Sequence, residues 1–364
     1  MPALHPVIAM ADAAQQRIVI AGAGSVGCYL GGCLALAGAN VTLLMRGDLA
    51  ARIAERGFRV SSLDRFDHHI AAAAVGLETE PATALADADL VLVTVKCGAA
   101  DQMAALIARH APERASVVAL QNGVRGAETL AAHIGEGSRI FAGTVTFNVV
   151  QSRPEDGPAR FHRATSGSVI ISAAAARRTG LRAVPGLGIV GEGDITGVLW
   201  SKLVLNMNNA LNALSGLPLV VELGDRRWRE LLADHIDEAL AILRTAGIRT
   251  RPIEGVNPRL IPFGLRLPSP LFRLVARRML EIDPEARSSM WEDLVRGRPT
   301  EIDHLQGAVI DLARTHNRSA PIAERVRDLV RELEGKPDAR PSIRPEQIAG
   351  RAVEGVHSAA PHGT

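Results

Sequence analysis

The chain has 364 residues, a length that suits two domains, and its 47% apolar and 22% charged residues can fill substantial cores. A formal net charge of +2 with only 3% aromatics provides neither the basic face nor the stacking platforms of a nucleic-acid protein, so any positive region is local and suited to a small anion. Cys28, Cys33 and Cys97 are too few for a disulfide framework and lie among apolar or small residues, which reads as reduced thiols in a cytoplasmic protein.

In chain order, residues 1–16 lack the basic start and apolar core of a signal peptide and read as a flexible leader. No apolar run reaches the roughly 18 residues needed to span a bilayer, so no membrane association is expected. From Arg17 to about Val145, the short β-branched runs RIVIAG, NVTLLM, DLVLVTV, ASVVALQ and RIFAGTV alternate with Ala- and Leu-rich stretches of helical length. Continuous apolar strands of this kind are buried on both faces, which predicts an α/β domain with a doubly wound, Rossmann-type parallel sheet over 17–191. ARFHRA, GSVIIS and GIV read as an edge extension of that sheet or a bridge to the next domain. An all-helical domain is predicted over 192–334, with helices near 194–214, 225–246 and several from 269 onward. The Pro-rich 251–270 reads as a loop or lid-like excursion, and 335–364 as a mobile tail.

The first strand runs into GAGSVG, with Gly22, Gly24 and Gly27 at G-x-G-x-x-G spacing. Glycine supplies 34 of the 364 residues, so the spacing alone says little; its place between a strand and a helix makes it a dinucleotide-binding turn. The glycines allow a tight turn, close approach to the pyrophosphate and close helix–strand packing, while Ser25 and Val26 open a helix whose N–H groups face the phosphates. An NAD site usually ends its second strand in an acid for the ribose hydroxyl. Here Arg46 occupies that place, and a guanidinium suits the 2′-phosphate of NADP(H), although Asp48 two residues on is an alternative acidic reader.

Ligands of open α/β sheets sit beyond the carboxyl ends of the strands. Lys96 closes LVLVTVK and Asn122 closes VVALQN, so both are candidates for holding ribose, nicotinamide or substrate. In VLWSKLVLNMNNALNALSG, the spacing i, i+4, i+7 places Lys202, Asn206 and Asn209 on one helix face. Such polar groups are costly to bury on an apolar helix, which predicts either a polar cleft between the domains or a satisfied interface. RSSMWEDLVRGRPTEID adds Ser288, Ser289, Glu301 and Asp303, which capping and a solvated helix start explain equally well. For metals, adjacent His68 and His69 point to opposite faces of a strand, and His304 and His316 have no partner at ligand spacing.

GAGSVG, LVTVKCG, LQNGV, LWSKLVLNMNNALNALSG, SSMWED and TEIDHLQG occur in the order and spacing of ketopantoate reductase, and the chain resembles that family over about 17–325. The resemblance implies NADPH-dependent reduction of 2-dehydropantoate or a related 2-keto acid. It makes Lys202 the proton donor, Glu301 the acid beside cofactor and lysine, and Asn206 and Ser289 substrate contacts. It places Lys96 and Asn122 near the nicotinamide ribose and substrate. The family's second helix asparagine falls on Ala210, with Asn209 one residue earlier, and a later asparagine falls near Val220. Reaction type is therefore firmer than substrate, and the alternatives are a different, larger keto or hydroxy acid and a non-catalytic NADP(H)-binding sensor. The oligomeric state is open, a homodimer included.

Overall fold

In β1 (Arg17–Ala21), Ile18 and Ile20 belong to one hydrophobic core while Val19 and Ala21 belong to another. The computed structural model describes residues 16–135, 139–155, 157–276, 284–336 and 341–349. After β1 come α1 (Ser25–Leu36), β2 (Asn40–Leu44), α2 (Gly47–Arg56), β3 (Phe58–Ser62), β4 (Asp67–Ile70) and β5 (Gly76–Glu78). The chain continues with α3 (Pro81–Leu85), β6 (Leu90–Val93), α4 (Ala100–His110), β7 (Ser116–Ala119), α5 (Gly126–Ile134) and β8 (Ile140–Val145). Then follow β9 (Val149–Ser152), β10 (Ala159–Arg163), β11 (Val169–Ser172), α6 (Ala173–Thr179) and β12 (Ile189–Glu192).

Among the described residues the main sheet has the order β12-β11-β8-β7-β6-β1-β2-β5 and is parallel except where β11 meets β8. Period-two alternation sorts its side chains: Leu90, Leu92 and Val118 join Ile18 and Ile20, while Val91, Val93, Val117 and Ala119 join Val19 and Ala21. Helix α1 covers the first face and α3, α4 and α5 the second. The five strands expected from apolar runs are all present, and β11 and β12 form the expected extension of the sheet.

ARFHRA goes elsewhere. Its strand β10 joins a second sheet, order β4-β3-β10-β9, that the sequence reading did not anticipate. This sheet meets α1, where a Cβ on Gly32 would lie 2.7 Å from Val60 and 2.8 Å from Phe58, and Phe58 packs edge-on against Phe161.

The helical part contains α7 (Ile195–Leu205), α8 (Asn208–Ser215), α9 (Leu219–Gly224), α10 (Arg226–Thr245), α11 (Ile261–Leu265) and α12 (Ser269–Val275). It ends with α13 (Ser289–Val295), α14 (Ile302–Thr315), α15 (Pro321–Leu333) and α16 (Pro345–Ile348). The division into compact units falls between Trp200 and Ser201, inside α7 and later than the expected 191/192, and Ile253–Gly255 belongs to the first unit. No helix of the described residues is long and apolar enough to cross a membrane.

Two expectations need correction. Part of 251–270 is an ordered element of the helical unit: Pro262 and Leu265 of α11 are buried, and α11 packs on α10. The cause is Arg229 of α10, fully buried, which donates to the carbonyls of Leu265 (3.0 Å) and Leu267 (3.2 Å) and to Ser269 Oγ (3.1 Å). Within the supposed mobile tail, 341–349 packs on this unit, with Ile343 N–H donating to Leu214 O (3.0 Å) and Ile348 buried. The leader to residue 15, and 337–340 and 350–364 of the tail, lie outside the described residues.

Candidate active site

The turn after β1 is shaped by contacts that leave glycine no substitute. Gly22 has φ +84°, and a Cβ there would lie 3.0 Å from the backbone of Val95. Thr94 Oγ1 donates to Gly22 O (3.0 Å), and the N–H groups of Gly22 and Ala23 both donate to Leu44 O. A Cβ on Gly27 would collide with Thr94 Oγ1 (2.6 Å) and Ile20 (2.9 Å), so this glycine sets the packing of α1 on the sheet. Gly24 differs: the nearest atom to its would-be Cβ is Gly22 O at 4.0 Å, so its outer side is open. Ser25, Val26 and Gly27 form the first turn of α1, which carries no side-chain cap and no acidic residue. Their N–H groups have no intrahelical acceptor, and an open glycine beside uncapped donors is a cradle that fits a pyrophosphate.

The strand order places further candidates around this turn. β2, β1, β6 and β7 are parallel neighbours, so Arg46, the Gly22 turn, Lys96 and Asn122 follow four adjacent carboxyl ends. The order reverses between β1 and β6, the switch point at which such sheets open a crevice. Cys97 Sγ donates to Asn122 O (3.1 Å), tying the two loops that carry Lys96 and Asn122. Arg46 is exposed at the N-cap position of α2. Asp48 Oδ2 accepts from Arg153 Nη1 (3.3 Å). Desolvation would raise the Asp48 carboxyl, but the Leu49 N–H, Arg153 and Arg46 together hold it below the ordinary carboxylate range. The sequence reading missed Thr94, Cys97 and Arg153; each acts through a contact with residues at least 25 positions away.

In the helical unit, the single helix expected over 194–214 is interrupted. α7 ends at Leu205 and α8 starts at Asn208, with Asn206 N–H shared between Lys202 O and Leu203 O, and Asn209 N–H bonded to Asn206 O (3.0 Å). This tightening to i→i−3 bonds breaks the continuous helical face on which Lys202, Asn206 and Asn209 were expected. All three are half-buried, while Leu203, Val204 and Met207 between them are buried. Gln306 Nε2 donates to Met207 O (3.3 Å) and Ser288 Oγ to Asn209 O (2.8 Å), so α14 and the start of α13 grip the backbone at the break.

Of the two serines, Ser288 is the buried cap of α13, accepting from Trp291 N–H (3.2 Å), and Ser289 is exposed. Glu301 is half-buried at the N-cap position of α14, and its carbonyl accepts from His304 N–H (3.0 Å) and Leu305 N–H (3.1 Å). The preceding Thr300 is anchored on Glu334 through both its N–H (2.9 Å) and its hydroxyl (2.6 Å). Asn212, also missed, is a buried junction: Oδ1 accepts from Ser288 N–H (2.8 Å), and Nδ2 donates to Leu217 O (2.9 Å) and Glu222. Burial pushes the Glu222 carboxyl up to about 7, against the pull of Asn212 and Ser215. Ala210 is fully buried and Val220 half-buried. The described residues contain no group of three or more His, Cys, Asp or Glu placed to hold a metal ion.

The model for ketopantoate reductase PanE/ApbA matches residues 18–176, and that for its C-terminal domain matches 194–334. The 2-dehydropantoate 2-reductase of Halobacterium salinarum is 30% identical over 87% of this chain and 98% of its own length. A PanE/ApbA family ketopantoate reductase of Ralstonia eutropha superposes with a TM-score of 0.71 at 27% identity, covering 89% of this chain and all of that one. The 2-dehydropantoate 2-reductase structure from Geobacter metallireducens superposes with a TM-score of 0.69 at 26% identity, covering 87% of this chain and 99% of that one. With both units matched, the chain belongs to the ketopantoate reductase PanE/ApbA family of oxidoreductases.

Proposed function

We propose that the protein is an NADPH-dependent 2-keto acid reductase, with 2-dehydropantoate as its substrate and pantoate as its product. The observation that carries this reading is the Gly22–Gly27 turn, whose open Gly24 and uncapped α1 donors fit a dinucleotide, together with family membership across both units. NADPH supplies the hydride for the carbonyl carbon.

The chain's own residues do the rest. Gly22, Gly24 and the N–H groups of Ser25, Val26 and Gly27 take the pyrophosphate, Arg46 takes the 2′-phosphate, and Lys96 and Asn122 steady the ribose and substrate ends. The Lys202 ammonium stabilises the charge growing on the carbonyl oxygen and delivers a proton to it. Glu301 favours the charged ammonium and orients it. Asn206, with Asn209 or Ser289, binds the substrate's carboxylate or hydroxyl and presents one face of the carbonyl.

One observation favours a second substrate. Ala210, where the family pattern has an asparagine, is fully buried and offers the substrate no polar contact. A keto acid lacking the hydroxyl of ketopantoate, or a larger one, is the alternative.

Steady-state oxidation of NADPH and of NADH, each with ketopantoate and with a panel of other 2-keto acids, tests both parts. NADPH and ketopantoate are expected to give the highest kcat/KM. A preference for NADH would undo the role of Arg46, and turnover confined to larger keto acids would replace the substrate.

A further inference from the structure

The first turn of α2 holds more charge than a single cofactor-reading arginine explains. Arg46 and Asp48 stand two residues apart, and together they contribute no net charge to a phosphate. A carboxylate that close would cancel most of the attraction of one guanidinium for a dianion. The second sheet supplies the missing charge. Its β9–β10 loop is fastened along α2, where Arg52 donates to the carbonyls of Pro154 and Gly157 (3.2 Å) and Arg56 to that of Glu155 (3.4 Å). The fastened loop delivers Arg153 to Asp48, with Nη1 3.3 Å from Oδ2. Gln151, its side-chain oxygen turned to the guanidinium, accepts from Nε (2.9 Å) and Nη2 (3.2 Å) and steadies its plane.

We infer that Arg153 is a second guanidinium for the cofactor's 2′-phosphate, acting as a pair with Arg46 across the start of α2. The inference rests on the NADPH reading above. A guanidinium has five N–H donors, and the bonds to Gln151 and Asp48 use three, leaving two on a side chain that is 42% exposed. The Asp48 contact is a single long bond between exposed groups, which a phosphate monoester with close to two charges readily outcompetes or joins. With Arg153 present the cluster of Arg46, Asp48 and Arg153 carries one net positive charge, which a 2′-phosphate rewards and a ribose hydroxyl does not. The Arg153 charge also reaches the first turns of α1: burial pushes the Cys28 thiol up, and Arg153 pulls against it.

Calorimetric titration of the full chain with 2′,5′-ADP and with 5′-AMP isolates the 2′-phosphate from hydride chemistry. The wild type is expected to prefer 2′,5′-ADP; Arg153→Met is expected to weaken 2′,5′-ADP binding by roughly 10- to 100-fold with 5′-AMP unchanged, and Arg153→Lys to restore part of the loss. Unchanged 2′,5′-ADP affinity in Arg153→Met, or an equal loss for both nucleotides, would overturn the assignment by showing that Arg153 does nothing or merely holds the loop. A wild type without preference would instead overturn the NADPH reading itself, and this inference with it.

Discussion

Replacing Lys202 by alanine is expected to lower kcat by about 10²–10⁴, the usual worth of a positioned general acid, with NADPH affinity little changed. Lys202 is half-buried at the end of α7, immediately before the chain tightens at Asn206. Removing its side chain leaves Leu203, Val204 and Met207 in the core, so the helix should survive the change. The glycine turn after β1 lies in the other compact unit, which separates the two readouts. Steady-state kinetics combined with a fluorescence titration of NADPH checks the split. A fall in kcat with constant cofactor affinity marks a group that acts in the transition state. Equal losses in both would mean that the variant had lost its fold, and full turnover would remove Lys202 from the chemistry.

Arg229→Leu is expected to destabilise the helical unit by at least about 3 kcal/mol, or roughly 6–12 °C in Tm. Replacing a buried charge with an apolar side chain is often harmless when the charge's partner leaves as well. Here the partners are backbone carbonyls that remain. Leu223 O (3.0 Å) and Gly224 O (3.2 Å) at the end of α9, and Leu265 O and Leu267 O around the end of α11, all receive N–H groups from this one guanidinium, which also lies 4.3 Å above the Phe272 ring. Burial pulls the Arg229 pKa down, yet the ordinary value is high enough to keep the group charged. Thermal unfolding followed through the fluorescence of the neighbouring buried Trp228 measures the loss. A change below about 1 kcal/mol would show that water replaces the lost donors.

How far the sequence could be read follows from the range of the interactions involved. The strands of the main sheet were legible because residues such as Ile18 and Val19 face two separate cores, and the resulting unbroken apolar runs stand out. The glycine turn was legible because its requirement is local, set by Gly22's positive φ and its place between β1 and α1. The second sheet was not: β4 exposes Asp67, His68 and His69, and β3 carries the exposed Arg59, so neither shows a continuous apolar run. The break at Asn206 was hidden because the groups that grip it, Gln306 and Ser288, come from 79 to 99 positions away. Arg229 ordered the Pro-rich stretch from 36 to 40 positions away, so prolines that suggested a loop became the first turns of short packed helices. At the candidate site, residue types were readable one at a time; the ties that position them, such as Cys97 to Asn122 or Arg153 to Asp48, were not.

Isotope transfer reaches the account's core most directly. Incubating the full chain with ketopantoate and NADPH deuterated at both C4 positions of the nicotinamide, followed by mass spectrometry of the product, should yield pantoate with deuterium on C2. Bound, intact NADPH beside unreacted ketopantoate and unreacted members of the keto acid panel would contradict the reductase assignment and leave a nucleotide-binding fold without that chemistry.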